Sequence, residues 1–303
     1  MTRPAGERRW TVHAALAGAQ VGFALFPILG KIVLGWIPAL VFAALRVAAA
    51  ALLLELLRRI SDPEPIRAPD RPRIFFYGLL GVSFNQLLFI LGLSLTSAIN
   101  TTILTATIPV FTLAAAVGLG RERLSARPAL GIALAGAGAL ALLNAQRFDW
   151  SSDSFRGDLL LLANSTSYSF YLVLSRPVLA RYRVITFTAA VFRYGAILIG
   201  LLAIPQLLRF EPGAVAPLAW ASLVGVVLLC TVVPYLLNSW ALARTDASKV
   251  AFYVFLQPLI STVLAVAILG ETLTPKTVLA ALLIFGGLAA TLARGRLPAP
   301  PVP

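Results

Sequence analysis

Long apolar runs, broken by short charged or proline-containing stretches, dominate the chain. A helix needs about 20 predominantly apolar residues to cross the hydrocarbon core of a bilayer, and runs of that length predict ten membrane-spanning helices. They cover residues 11–34, 37–57, 73–95, 98–119, 127–144, 157–179, 185–206, 217–241, 247–269 and 275–293. The fold class implied is all-α, a polytopic membrane protein, because only a helix or a closed barrel satisfies its backbone groups in lipid. The opening stretch MTRPAGERRWTVHAAL puts basic residues before an apolar run, as a secretory signal does. That run continues at spanning length without a clear small-residue cleavage site, so it reads as a retained first helix. The longest connection, near residues 58–73, is proline-rich and charged and is expected to fold little.

Composition supports lipid as the main solvent. Of 303 residues 59% are hydrophobic and 12% charged, against roughly 25% charged in an ordinary soluble domain. A net charge of +13 would point to nucleic acid in a soluble protein, but here the basic residues sit between apolar segments, so no nucleic-acid partner is expected. With the N-terminus in the cytoplasm, 18 basic residues fall inside and five outside: Lys31, Arg147, Arg156, Arg209 and Lys276. The positive-inside rule then places both termini in the cytoplasm. The single cysteine, Cys230, excludes a disulfide framework and a multi-thiolate metal site. No metal and no cofactor are expected.

The chain aligns with itself. GLSLTSAINTTILTATIPVFTLAAAVGLGRERLS from Gly92 lies without a gap on ALARTDASKVAFYVFLQPLISTVLAVAILGETLT from Ala241, matching Pro109 to Pro258 and Glu122 to Glu271. FPILGKIVL from Phe26 matches YLVLSRPVL from Tyr171, and Arg46 meets Arg193 after a two-residue shift. Residues 11–144 and 157–293 therefore form two five-helix repeats. An odd number of spans inverts whatever follows, so the second repeat is expected upside down relative to the first, with a pseudo-two-fold axis in the membrane plane. Such an interface can open to either side by rocking, which makes transport by alternating access the economical function.

The duplicated halves, each with a helix, a proline, an apolar run, then Gly-Arg-Glu-Arg-Leu or Gly-Glu-Thr-Leu-Thr and a closing helix, resemble the EamA type of the drug/metabolite transporter superfamily. The resemblance covers residues 12–293, and its most specific part is DASKVAFYVFLQPLISTVLAVAILGETLT. NQLLFILGLSLTSA from Asn85 is also similar to plant nodulin-like transporters of that superfamily. The resemblance implies export or facilitated movement of a small organic metabolite, often an amino acid, without ATP, through a cavity lined mainly by spans 1, 3, 4, 6, 8 and 9. Many relatives carry Glu before the proline of the ninth span; this chain has Gln257 there, so no carboxylate is available at that point.

Candidate chemistry lies in polar residues within apolar spans. Arg46 and Arg193 are costly in a bilayer and are candidates for anion contact, or for pairing at a helix end. Asn85, Gln86, Asn238 and Gln257 should face a cavity or each other. Thr105, whose carbonyl loses a donor to Pro109, and the aromatic residues Tyr168, Trp240 and Tyr253 complete the substrate-binding candidates. Pro109 and Pro258 are candidate hinges. Glu122 and Glu271 precede Ser125 and Thr274, which are placed to cap the fifth and tenth helices. Asp158 is expected to start the sixth. Small residues at Gly131, Ala135, Gly136 and Gly138, matched by Gly286 and Gly287, allow close helix contact and a homodimer face. No clustered acids or histidines and no P-loop suggest an enzyme or an ATP-driven pump. A channel or a non-transporting scaffold is the rival reading. The expected partners are a small-molecule substrate and the lipid of a plasma membrane, that of a bacterium by the Arg and Ala bias.

Overall fold

A computed structural model describes residues 5–61, 64–121 and 152–292, with isolated positions between 130 and 138. The fifth expected span, with Glu122, Ser125, Gly131, Ala135 and Gly136, lies outside the described residues, apart from those isolated positions. All regular structure among the described residues is helical. Helices α1 (Ala5–Leu34) and α2 (Ala39–Ile60) are followed by a rod in which α3 (Arg71–Gly78) passes through a π-helical segment, Leu79–Phe84, into α4 (Asn85–Leu95). Next come α5 (Ala98–Thr105) and α6 (Ile108–Gly118). The second half repeats the series with α7 (Asp153–Leu179) and α8 (Val184–Leu207). A rod of α9 (Pro217–Val227), a π segment Leu228–Val232 and α10 (Val233–Leu242) follows. The chain then runs through α11 (Ala247–Phe252), a 3-10 turn Tyr253–Phe255, α12 (Leu256–Leu269) and α13 (Pro275–Leu292).

Among the described residues six stretches are long and apolar enough to cross a bilayer: Trp10–Leu34, Ala39–Ile60, Ala68–Leu95, Ala98–Gly118, Val184–Leu207 and Pro217–Leu242. The other described candidates fall short for physical reasons. Helix α7 carries a polar run whose Asn164, Ser165, Ser167 and Ser169 are all buried, so its polarity turns toward protein rather than lipid. The ninth expected span is broken at Tyr253–Phe255, leaving the shorter Tyr253–Leu269. Apolar side chains such as Leu52, Leu56, Leu201, Leu218, Val263 and Leu282 face outward, as a lipid-facing surface requires.

Pro109 and Pro258 do not kink continuous helices. Pro109 lies in the first turn of α6, which restarts after a turn at Ala106 and Thr107, and Pro258 lies in the first turn of α12, after the 3-10 turn. A proline has no N–H to lose in a first turn, so the break localises there. Gly120 (φ 68) follows α6 and Gly270 (φ 66) ends α12, both in the left-handed region that favours glycine. Thr274 caps α13 by accepting the Thr277 N–H at 3.1 Å. Helix α7 begins at Asp153, so Asp158 is buried inside its second turn instead of starting it.

The halves interlock. Helix α1 packs on α10 and α12 of the second half, α7 packs on α4 and α6 of the first, and α2 and α8 pack on each other. Several contacts are backbone-close. A Cβ on Gly22 would lie 2.3 Å from the Leu229 carbonyl oxygen, and one on Gly157 would lie 2.9 Å from that of Gly92. The connection near residues 58–73 is also more ordered than its composition implies. Asp70, buried, accepts from the Tyr182 hydroxyl at 2.8 Å and from Arg181 at 3.2 Å, and Glu64 accepts the Arg183 N–H at 2.9 Å. Residues 64–70 dock on residues 181–183 through these pairs.

Candidate functional site

The two π segments occupy matching places. The gapless alignment of the halves sets Leu79 on Leu228, and it sets Gln86 on Tyr235. A π turn widens the helix by one residue and reorients the side chains after it, and such turns concentrate at functional sites. Here each precedes a buried polar cluster. Gln86 donates through Nε2 to the Tyr235 hydroxyl, so two repeat-equivalent residues touch where the halves meet. Tyr235 in turn donates to Asn85 Oδ1, 3.0 Å away, with the Gly81 carbonyl at 3.2 Å.

Around this contact lies a cavity whose atom-free space, with the open solvent at its mouth included, is about 560 Å3. Helix α1 supplies Gln20, Phe23 and Phe26; α2 supplies Arg46; α4 supplies Asn85, Gln86 and Phe89; α5 and α6 supply Thr105 and Ile108. From the second half come Asn164, Tyr168, Leu172, Tyr235, Asn238, Val250, Ala251, Val254 and Gln257. The lining is apolar and aromatic with a few convergent amides, the usual make-up of a small-molecule site. Phe26 stacks on Phe89 with centroids 4.6 Å apart, and Phe23 meets Tyr235 edge-on at 5.5 Å.

The amides are paired. Asn238 donates to the Tyr168 hydroxyl at 2.9 Å, Gln257 to Gln20 Oε1 at 2.6 Å, and Asn164 to the Asn85 carbonyl at 2.6 Å. Burial demands this, because an unpaired amide in an apolar setting costs about 1–3 kcal/mol. Arg46 is 1% exposed. Its Nε donates to Thr231 Oγ1 at 2.7 Å, its Nη1 to Gln86 Oε1, and its guanidinium lies over the Phe26 ring, 3.7 Å from the centroid. Among the described lining residues it is the only charged side chain.

Of the residues singled out from sequence, the structure thus gathers Arg46, Asn85, Gln86, Thr105, Tyr168, Asn238 and Gln257 at one cavity. It leaves three elsewhere. Arg193 is 47% exposed and 3.9 Å from Glu55 near the end of α2, beside the Tyr194 ring, so the alignment with Arg46 does not carry over to environment. Tyr253 bonds to His13 and lines a separate apolar crevice with Phe255, Leu256, Leu259 and Phe285, because the break before α12 swings it away. Trp240 lies under the Arg244 guanidinium at 4.1 Å, a packing that occupies its face. Gln20, Asn164 and Tyr235 escaped the sequence reading of the site. Gln20 was detectable as a lone amide in an apolar helix.

On one side of the cavity the halves are tied by Glu271, which accepts the Ala98 N–H at 2.7 Å and the Ile99 N–H at 2.9 Å. Lys31 donates to the nearby Thr96 carbonyl. Among the described residues no group of three or more His, Cys, Asp or Glu could hold a metal.

The helical fold has counterparts among known proteins. A solved crystal structure superposes with a TM-score of 0.68 at 19% identity, covering 93% of this chain and 96% of the other, which establishes a shared fold. An uncharacterized transporter of Archaeoglobus fulgidus is 29% identical over 221 residues, 71% of this chain and 74% of that protein. The uncharacterized transporter YdfC of Bacillus subtilis is 26% identical over 249 residues, 80% of this chain and 77% of that one. The model of the EamA-like transporter family matches twice, at residues 10–144 and 155–293, nearly the whole length. With the apolar rods, the paired halves and this double match together, the chain is an integral membrane protein that belongs to the EamA-like transporter family.

Proposed function

We propose that this protein is a secondary carrier that exports small organic metabolites, amino acids or related compounds, by alternating access. In this reading ten spans form two inverted five-helix repeats, residues 11–144 and 157–293, in a bacterial plasma membrane with both termini in the cytoplasm. The observation that carries it is the placement of the cavity. It is lined from both halves around a contact between repeat-equivalent residues, Gln86 and Tyr235. A site on a pseudo-two-fold axis can face either side when one bundle rocks against the other. The Glu271 tie to the start of α5 supports this, since it joins the halves through hydrogen bonds that a rocking motion can break and remake. The 18 basic residues on the cytoplasmic side support the orientation.

The test is uptake of a panel of radiolabelled amino acids and metabolites into proteoliposomes, with and without unlabelled substrate inside and with an imposed pH gradient. A carrier gives saturable uptake that internal substrate accelerates. Non-saturating flux without exchange would instead indicate a channel, and absence of flux from correctly folded, oriented protein a scaffold.

A further inference from the structure

Among the described residues Arg46 has no counter-ion. Its hydrogen-bond partners, Thr231 and Gln86, are neutral, and so is the Phe26 ring beneath it. The described cavity lining holds neither Asp nor Glu. Glu55, the acid on the same helix, is bound to Arg58 at 2.6 and 2.9 Å and to Arg59 at 3.2 Å. A guanidinium stays protonated in a protein and offers five N–H donors. The bonds formed use Nε and one Nη1 proton; Nη2 makes no hydrogen bond among the described residues. A fully buried cation with uncommitted donors therefore lines the cavity, and a buried charge without an opposite charge is costly in a bilayer.

Resting on the reading of this cavity as a carrier's substrate site, we infer that the substrate is an organic monoanion, which narrows the proposed range from amino-acid zwitterions to related carboxylates without an ammonium group. Its carboxylate lies against the free edge of Arg46 and its apolar or aromatic body against Phe26, Phe89 and Tyr168. A carboxylate matches a guanidinium edge in geometry as well as charge. One cation and no acid also rank the possible ligands. A zwitterion would bring an ammonium group for which the described lining has no carboxylate, and a dianion would bring a second negative charge without a second cation. Asn85 is engaged through Oδ1 with Tyr235 and Asn238 through Nδ2 with Tyr168, and Arg46 is the only charged side chain of the described lining.

The full-length protein in lipid nanodiscs is titrated by calorimetry with three probes that share one ring and chain: 3-phenylpropanoate, 3-phenylpropanamide and phenylalanine. The acid is expected to bind at least about tenfold more tightly than its amide, and more tightly than the zwitterion, because only the acid forms a charge-assisted pair with Arg46. Arg46→Gln should erase the difference between acid and amide. Should that variant fail to fold, Gln86→Glu serves the same purpose. It sets a carboxylate on the bond that Gln86 Oε1 already makes, neutralises the guanidinium internally and should abolish the preference for the acid. Equal binding of acid and amide to the unaltered protein, no binding of any probe, or an undiminished preference in Gln86→Glu would overturn the inference. Binding with the expected ranking but no flux of the acid in proteoliposomes would refute the carrier reading and leave the anion site standing. Saturable phenylalanine exchange without preference for the acid would do the reverse.

Discussion

The first backbone donors of α5 are satisfied largely from the other half of the chain. Glu271, from the turn after α12, accepts the Ala98 and Ile99 N–H groups at 2.7 and 2.9 Å, one on each carboxylate oxygen. Ser97 accepts the next two, the Asn100 N–H on its hydroxyl and the Thr101 N–H on its carbonyl, both at 3.0 Å. The Thr101 bond is the first of the helix's own i→i−4 ladder; of the amides before it, those of Ala98, Ile99 and Asn100 are thus satisfied, two of the three by a residue 172 or 173 positions away. Glu271→Ala removes both long-range acceptors and a negative charge from the positive end of the helix. Hydrogen bonds to charged groups contribute about 1.5–3 kcal/mol each, and the half-buried site places these near the lower bound, so the expected loss is about 3 kcal/mol. Glu271→Gln retains one acceptor oxygen and should lose about half of that. Reversible unfolding in mixed micelles measures the energy, and hydrogen exchange localises it, with protection falling first at Ala98 and Ile99. A loss below about 0.5 kcal/mol in Glu271→Ala, with unchanged exchange at those amides, would refute the capping argument.

Other sites give further expected outcomes. Gly22→Ala forces a methyl against the Leu229 carbonyl and should destabilise by about 1–3 kcal/mol, whereas Gly200→Ala, with nothing within 4 Å, should be neutral or slightly stabilising; thermal melting of the pair in one detergent decides. Asp70→Asn weakens the bonds from Tyr182 and Arg181 and should cost about 1–2 kcal/mol, with faster proteolysis of the segment near residue 64 as the readout. Asn238→Ala orphans the Tyr168 hydroxyl and Gln257→Ala the Gln20 amide; each should shift substrate discrimination while folded yield holds, and unchanged discrimination would remove that residue from the site.

Much of this was legible in the chain because lipid is an unforgiving solvent. Apolar length marks helices there, and an amide or guanidinium within a span has few places to go, which is why Asn85, Gln86, Asn238, Gln257 and Arg46 could be named beforehand. Aromatic residues carry no such signal. Tyr235 lies at the centre of the cavity and Trp240 outside it, yet both are rings in one apolar helix, and only the π segment before Val233 fixes which faces inward. The π segments have no composition of their own, and a constant sequence offset through them hides the extra residue per turn. Arg193 shows the limit of repeat logic. It aligns with Arg46, but the reach of its side chain to Glu55 offers it an acid at the edge of the fold. The docking of residues 64–70 on 181–183 depends on pairs more than a hundred residues apart, which local composition cannot reveal.

Alternating access requires the cavity to open to both sides in turn. A cysteine placed at Val250, which lines the cavity, in a protein whose buried Cys230 is replaced by serine, reports this through a membrane-impermeant maleimide applied to oriented proteoliposomes from either face. The expected result is labelling from both faces, with bound substrate changing the two rates in opposite directions. Labelling from one face alone, unaffected by any substrate that binds, would contradict alternating access.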